Sequence, residues 1–321
     1  MIKKDRFPFC KYLFIGFMTL VLNSTALAAD KTSNSTHILT SIYPLYLWVT
    51  ALVHPNPNDP NNKKWTVEML GDSGSDPHHR ELRPSDWRAL HEAKTLVWLG
   101  EIGEPQLSRA VTTAKINHWG ALNQIKDVLP ARFSHGSMPH AGESLSVLGS
   151  FEESDIDPHI WLSLRRLPAM LTSLAQHLGK ARPDDNARIQ SNLKNQIAIL
   201  ETLLSSTEQQ SWGSETRGII EYHDAFQYLL KDLGLTSAAL LVSEPDQTPT
   251  PSRLREAQTV IQQQDIACIL TDVMSDPSIQ PLFPTTRWIT ADILGSTLPG
   301  GVDLLGYWEY VLGVVNECYA R

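Results

Sequence analysis

Short apolar runs alternate with helix-patterned stretches along most of the chain, and this alternation constrains the fold more than any other feature. In the first half, Ile38 to Ser41, Trp65 to Leu70 and Thr95 to Leu99 read as strands. Helical stretches open at Pro44, running through Val53, and at Pro84, where a missing N–H costs nothing in the first turn. The second half repeats the pattern with strands Gly218 to Tyr222, Ala238 to Val242, Ala267 to Thr271 and Trp288 to Ala291. Between them lie helices Ala225 to Leu233 and Ser252 to Gln263, and Leu304 to Glu317 follows. Alternation of this kind builds βαβ units. The expected fold is α/β, with two lobes, each a mainly parallel sheet flanked by helices.

A chain of 321 residues suits about two domains rather than one. Between the halves, Asp184 and Asp185 begin the longest helical pattern, with apolar positions at Ile189, Leu193, Ile197, Leu200 and Leu204 continuing to Gln209. At 1.5 Å per residue this helix spans roughly 39 Å, the length of a lobe. The expected organisation is a signal peptide over 1–28, an N-terminal lobe over 29–183, a linking helix over 184–210 and a C-terminal lobe over 211–321.

Lys3, Lys4, Arg6 and Lys11 precede the apolar run Tyr12 to Val21 and the small-residue site Ala26-Leu27-Ala28, the composition of a secretory signal. No cysteine follows that site, so the expectation is a soluble periplasmic protein without a lipid anchor. Losing four basic residues and one acidic residue with the signal takes the formal net charge from −8 to −11. Nucleic acid is therefore excluded as a partner, because its phosphates need a basic surface, whereas a cationic ligand suits the balance. Cys10 leaves with the signal, and Cys268 and Cys318 remain as the pair for a disulfide in an oxidising compartment.

Ligand-type side chains cluster at the ends of the expected strands. His78 and His79 lie beyond Leu70, His159 sits in Asp157-Pro158-His159-Ile160-Trp161 at the mouth of an apolar segment, His223 follows Tyr222, and Asp292 follows Ala291. In α/β sheets ligands bind outside the carboxyl ends of strands, so residues from both halves point to a cleft between lobes. Three neutral imidazoles suit a tetrahedral cation and favour zinc over manganese, which leans on carboxylates and water. The expected metal ligands are His78, His159 and His223, with Asp292, His79 or water in fourth place. Asp157 and Asp224 are candidates to orient the rings. The stretch from Leu129 to Asp155, with His135, His140, Glu143, Glu152, Glu153 and Asp155, reads as a polar loop. No hydrolase, zincin or phosphate-loop motif is present. A secreted zinc-dependent hydrolase with Glu221 or Asp224 as base is nonetheless an alternative, as is a metal-binding adhesin.

Thr40-Ser41-Ile42-Tyr43-Pro44-Leu45, Pro77-His78 with Leu82-Arg83-Pro84-Ser85-Asp86, Asp157-Pro158-His159-Ile160-Trp161-Leu162 and Tyr222-His223-Asp224-Ala225-Phe226 occur in this order. Together they resemble the zinc-specific solute-binding proteins of ABC importers, the ZnuA-type branch of the cluster that also holds manganese binders. The resemblance implies two α/β lobes on one rigid helix, Zn2+ held between them by His78, His159 and His223, and a non-enzymatic role in zinc transport. It further implies a monomer that works with a membrane permease, with a periplasmic metallochaperone as a second partner. The late cysteines resemble a disulfide of Gram-negative zinc members. Pro77 departs from the family where some zinc members carry a glutamate.

Overall fold

Prolines stand in the first turn of α1 (Tyr43–Val53), α2 (Pro84–Glu92), α3 (Pro105–Ala114), α4 (Leu167–Ala181) and α7 (Pro251–Gln263), pre-setting φ where no intrahelical bond is lost. Side chains complete other helix starts. Thr250 accepts from the Arg253 N–H ahead of α7, and Asp303 accepts from the Gly306 N–H at the start of α8 (Leu304–Tyr319). The computed structural model describes residues 35–56, 58–71, 76–132, 156–210, 212, 217–245 and 247–320. The expected signal peptide and His135, His140, Glu143, Glu152, Glu153 and Asp155 lie outside the described residues.

The first sheet joins β1 (Thr36–Thr40), β2 (Trp65–Met69), β3 (Thr95–Trp98) and β4 (Asn117–Gly120) in the order β2-β1-β3-β4, all parallel. The second joins β5 (Gly218–His223), β6 (Ser237–Val242), β7 (Ile266–Asp272) and β8 (Trp288–Ala291) in the equivalent order β6-β5-β7-β8, again all parallel. Strands β3 and β5 are buried along their whole length, as strands covered on both faces must be. Strand β4 and helix α3 go beyond the sequence reading, because Asn117-His118 gives β4 a polar start that hides its apolar end.

Each sheet reverses its winding once, between β1 and β3 in the first lobe and between β5 and β7 in the second. At such a switch point the loops leaving neighbouring strands diverge and leave a crevice beyond the strand ends. Helix α5 (Asn186–Gln209), after a short 3₁₀ turn at Pro183–Asp185, is the long element between the sheets. Its start is pinned to the first lobe: Asp185 accepts hydrogen bonds from Trp65 Nε1 at 2.6 Å and Arg188 Nε at 3.0 Å.

One apolar cluster runs through both lobes. It includes Trp48 of α1, Leu171 of α4, Leu200 of α5 and Trp308 of α8. Smaller clusters cover the outer faces, around Leu96 and Leu107 in one lobe and Ile220 and Ala257 in the other. A Leu or Phe side chain taken fully from water stabilises by about 1.5–3 kcal/mol, so a core shared by the lobes opposes their separation. Cys268 on β7 and Cys318 on α8, both fully buried, form the expected disulfide and tie sheet to helix. Among the described residues no helix is long and apolar enough to cross a membrane.

Candidate metal centre

The two switch points bring the site together. His223 is the last residue of β5 and Asp272 the last of β7, so both stand at the crevice of the second sheet. Across from them, Gly103 follows β3, and His78 and His159 arrive on loops. His78 is set by local bonds: Asp76 Oδ1 accepts its backbone N–H at 2.8 Å, and buried Arg80 binds the Ser41 carbonyl at 2.8 Å and the Leu70 carbonyl, holding the loop to the ends of β1 and β2. His159 does not end a strand as expected. Asp157 Oδ1 accepts its N–H at 2.9 Å, and the chain then enters a 3₁₀ turn at Ile160–Leu162.

Each imidazole is held through Nδ1. The Gly103 carbonyl, which can only accept, lies 3.0 Å from His78 Nδ1, so that nitrogen carries the proton and Nε2 keeps its lone pair. Asp157 Oδ1 lies 2.9 Å from His159 Nδ1, and Asp272 Oδ2 is in ion-pair contact with His223 Nδ1. This second layer of partners fixes ring orientation and raises donor strength in histidine metal sites. Gly103 can reach His78 because it lacks a side chain: a Cβ there would stand 2.7 Å from Leu99 Cβ.

His159 and His223 face each other with Nε2 atoms 3.4 Å apart. Zinc–nitrogen bonds of 2.0–2.1 Å give a tetrahedron with edges of about 3.3 Å, so the pair already has the spacing of two ligands on one ion. His78 stands edge-on to His159, ring centroids 5.2 Å apart. Among the described residues no group of three or more His, Cys, Asp or Glu is assembled as a ready metal site. The cavity between the rings, also bounded by Asp76, Asp272 and Met274, measures about 20 Å3. A single water needs roughly 10–15 Å3 by the same kind of measure, so the space is of the order of one water or one ion. Clefts of about 490, 560 and 620 Å3 open elsewhere, and none is lined by any of the three histidines.

The protonation pattern suits a cation. Burial, helped by His159, pulls His78 down to about 3, and burial with His223 pulls His159 well below the usual imidazole range. Burial also pulls on His223, but the Asp272 carboxylate outweighs it and the ring ends up raised. Asp272, pushed up by burial, is drawn below the usual carboxylate range by the same ion pair. Burial thus favours the neutral, lone-pair form of His78 and His159, while the Asp272 carboxylate favours the charged form of His223.

Of the expected ligands, His78, His159 and His223 come together. Asp292 is spent in its own turn: Oδ1 accepts from Ser296 N–H at 3.0 Å and Ser296 Oγ at 3.2 Å, and Oδ2 from Thr297 N–H and from Thr297 Oγ1 at 2.7 Å. It does not line the cavity. His79 is exposed, with Nδ1 2.9 Å from Asp76 Oδ2. Of the two candidate orienting carboxylates, Asp157 holds His159, while Asp224 accepts Arg132 Nε at 2.8 Å. Glu221 is likewise bound by both Arg132 Nη atoms at 2.8 Å, which leaves neither carboxylate as a base facing the cavity. Sequence reasoning missed Asp272, although its place at the end of an apolar strand is the signal that singled out His223. It also missed Arg80 and Gly103, whose roles depend on loops folding back over distant strands.

The sequence model of the family described as ZnuA, zinc-uptake complex component A, periplasmic, matches residues 38–306. The chain is 25% identical over 287 residues to the high-affinity zinc uptake system protein ZnuA of Bacillus subtilis (strain 168), covering 89% of this chain and 83% of that protein. It is 27% identical over 263 residues to the protein of the same name from Paracoccus denitrificans, covering 74% and 76%. Among solved structures, a crystal structure of ZnuA superposes with a TM-score of 0.70 at 19% identity, covering 89% of this chain and 98% of that one. The Zn(II)-bound ZnuA-like domain of Streptococcus pneumoniae AdcA gives 0.67 at 20%, covering 89% and 100%. At these identities the structural matches speak for the fold alone.

Proposed function

Because the chain belongs to the ZnuA family of zinc-uptake components, we propose that it captures one Zn2+ outside the cytoplasmic membrane and delivers it to the permease of an ABC importer. The observation that carries this reading is the His159–His223 pair, Nε2 atoms 3.4 Å apart, beside a cavity of about 20 Å3. His78, His159 and His223 are the ligands, and water takes the fourth place, since Asp292 is engaged elsewhere. The lobes are 29–183 and 211–321, with 184–210 linking them. Residues 1–28 are a cleaved signal, and the mature protein is a soluble periplasmic monomer that a metallochaperone can load. The relatives named above are zinc uptake proteins, which supports the cargo. The hydrolase reading loses its base, because Glu221 and Asp224 are committed to Arg132.

Competition titration of metal-stripped protein against a chromogenic zinc chelator tests the proposal. One equivalent of zinc should bind with a Kd below micromolar. The His223→Ala variant should lose at least about a hundredfold, since one of three protein ligands is gone and Asp272 is left buried without its partner. Uptake no tighter than micromolar in the unaltered protein would sink the zinc-capture reading.

A further inference from the structure

His223 ends β5, whereas His159 lies on the loop before α4, so the spacing of their nitrogens depends on what ties that loop to the second lobe. The segment 157–162 is tied there on both sides of His159. Before it, Asp157 Oδ2 accepts Gln227 Nε2–H at 3.1 Å and the Asp157 carbonyl accepts Tyr228 Oη–H at 3.1 Å. After it, the buried Trp161 donates Nε1–H at 3.2 Å to the carbonyl of Ile293, two residues past β8. That carbonyl also accepts Tyr307 Oη–H of α8 at 2.8 Å, so both of its lone pairs are taken.

Trp161 also touches the candidate ligand itself. Its ring lies 5.1 Å from that of His159, centroid to centroid and tilted by 52°, and it lines the cavity. Asp157 holds the Nδ1 edge of the imidazole, and the indole packs against the same ring. A side chain that packs on one ligand while bonding to the lobe of another converts the fit between lobes into ring position. We propose that Trp161 is a positioning residue whose Nε1–H bond to Ile293 sets where His159 stands relative to His223, and with it how long the site retains a metal ion. The proposal rests on the assignment of His159 as a ligand made above and adds the residue that ties this ligand to the opposite lobe. Losing the indole N–H leaves the Ile293 carbonyl its bond from Tyr307, so no buried acceptor is orphaned and the effect falls on the link between lobes.

The test uses full-length mature protein in three forms: unaltered, Trp161→Phe, and with Trp161 replaced by β-(3-benzothienyl)alanine, which exchanges N–H for sulfur and keeps the bulk of the ring. Trp48→Phe is the control, since Trp48 is also a fully buried core indole but does not line the cavity. Zinc release into excess chelator is followed by stopped flow, and the visible spectrum of the Co(II)-loaded protein reports ligand geometry. Zinc release about three- to tenfold faster is expected for the benzothienyl form, the worth of one hydrogen bond. Trp161→Phe should release zinc faster still, and both should alter the cobalt bands, while Trp48→Phe loses stability to urea and keeps rate and spectrum. Unchanged release or an unchanged cobalt spectrum in the benzothienyl form overturns the proposal, even where Trp161→Phe fails to fold. Equal acceleration in Trp48→Phe also overturns it, because the effect then belongs to the core as a whole. Unaltered protein that takes up no zinc sinks the zinc-capture reading and this inference with it, whereas zinc uptake indifferent to Trp161 sinks this inference alone.

Discussion

At the scale of single residues, the balance between burial and partner decides what each histidine does. His78 and His159 are emptied of protons by burial, whereas His223 is raised by Asp272 against the same burial. On the proposed ligation zinc displaces the proton of His223, so affinity should fall about tenfold per pH unit below the pKa of that ring and level off above it. The stability of the metal-free protein runs the other way. A raised imidazole pKa adds stability below the unfolded value of about 6.5, which is lost as pH rises through the folded value. Replacing Asp272 with Asn removes the outweighing partner, so the pH-dependent limb of zinc binding should move to lower pH. Affinity at pH 8 should drop about 10- to 100-fold through lost ring orientation. Titrations between pH 5 and 8 check both, and superimposable profiles would take Asp272 out of the site. The histidines were legible in the sequence because donor residues stood beside apolar runs. The choice of Asp272 over Asp292 was not, since both follow strands, and only the hydrogen bonds from Ser296 and Thr297 take Asp292 away.

At the scale of elements, the start of α5 is anchored to the first sheet through Asp185. Asp185 is buried, which pushes its carboxyl up, but hydrogen bonds from Arg188 and Trp65 outweigh this and hold it at about 2. A carboxylate depressed in the fold adds stability above its unfolded pKa of about 3.9, and that stability is lost as pH falls toward the folded value. The contribution is about 2 kcal/mol near neutral pH. Asp185→Asn should lose roughly that amount in urea unfolding at pH 7 and show a smaller loss between pH 4 and 2 than the unaltered protein. An equal acid sensitivity in the two proteins would assign the acid transition to other groups. The helix itself was plain in the apolar recurrence from Ile189 to Leu204. Its anchor was not, because Trp65 lies 120 residues before Asp185 and meets it only through tertiary packing.

At the scale of the molecule, a polar network joins the lobes on one side of the site. Arg132 spans Glu221 and Asp224, Tyr228 Oη donates to the Asp157 carbonyl at 3.1 Å and accepts the Leu129 N–H at 2.9 Å, and Asp232 accepts from Ser163 Oγ at 2.8 Å. With the shared apolar core, this network braces the segments that carry His159 and His223, whose Nε2 atoms lie 3.4 Å apart. Arg132→Met should cost about 3–5 kcal/mol in denaturant unfolding, because two buried carboxylates lose their cation. It should also weaken zinc by loosening the pair. Stability unchanged by that substitution would show that the lobes are held by the apolar core alone.

The sequence by itself determined the two parallel α/β units, the helix between them, the cysteine pair and the three histidines. Those follow from periodicity and from residue chemistry next to strand ends, which are local properties of a chain. Tertiary structure alone decided which carboxylate serves which ring and which loops meet around the cavity. These depend on how loops from two switch points meet across a cleft, and no spacing along the chain encodes a distance between segments that touch only after folding.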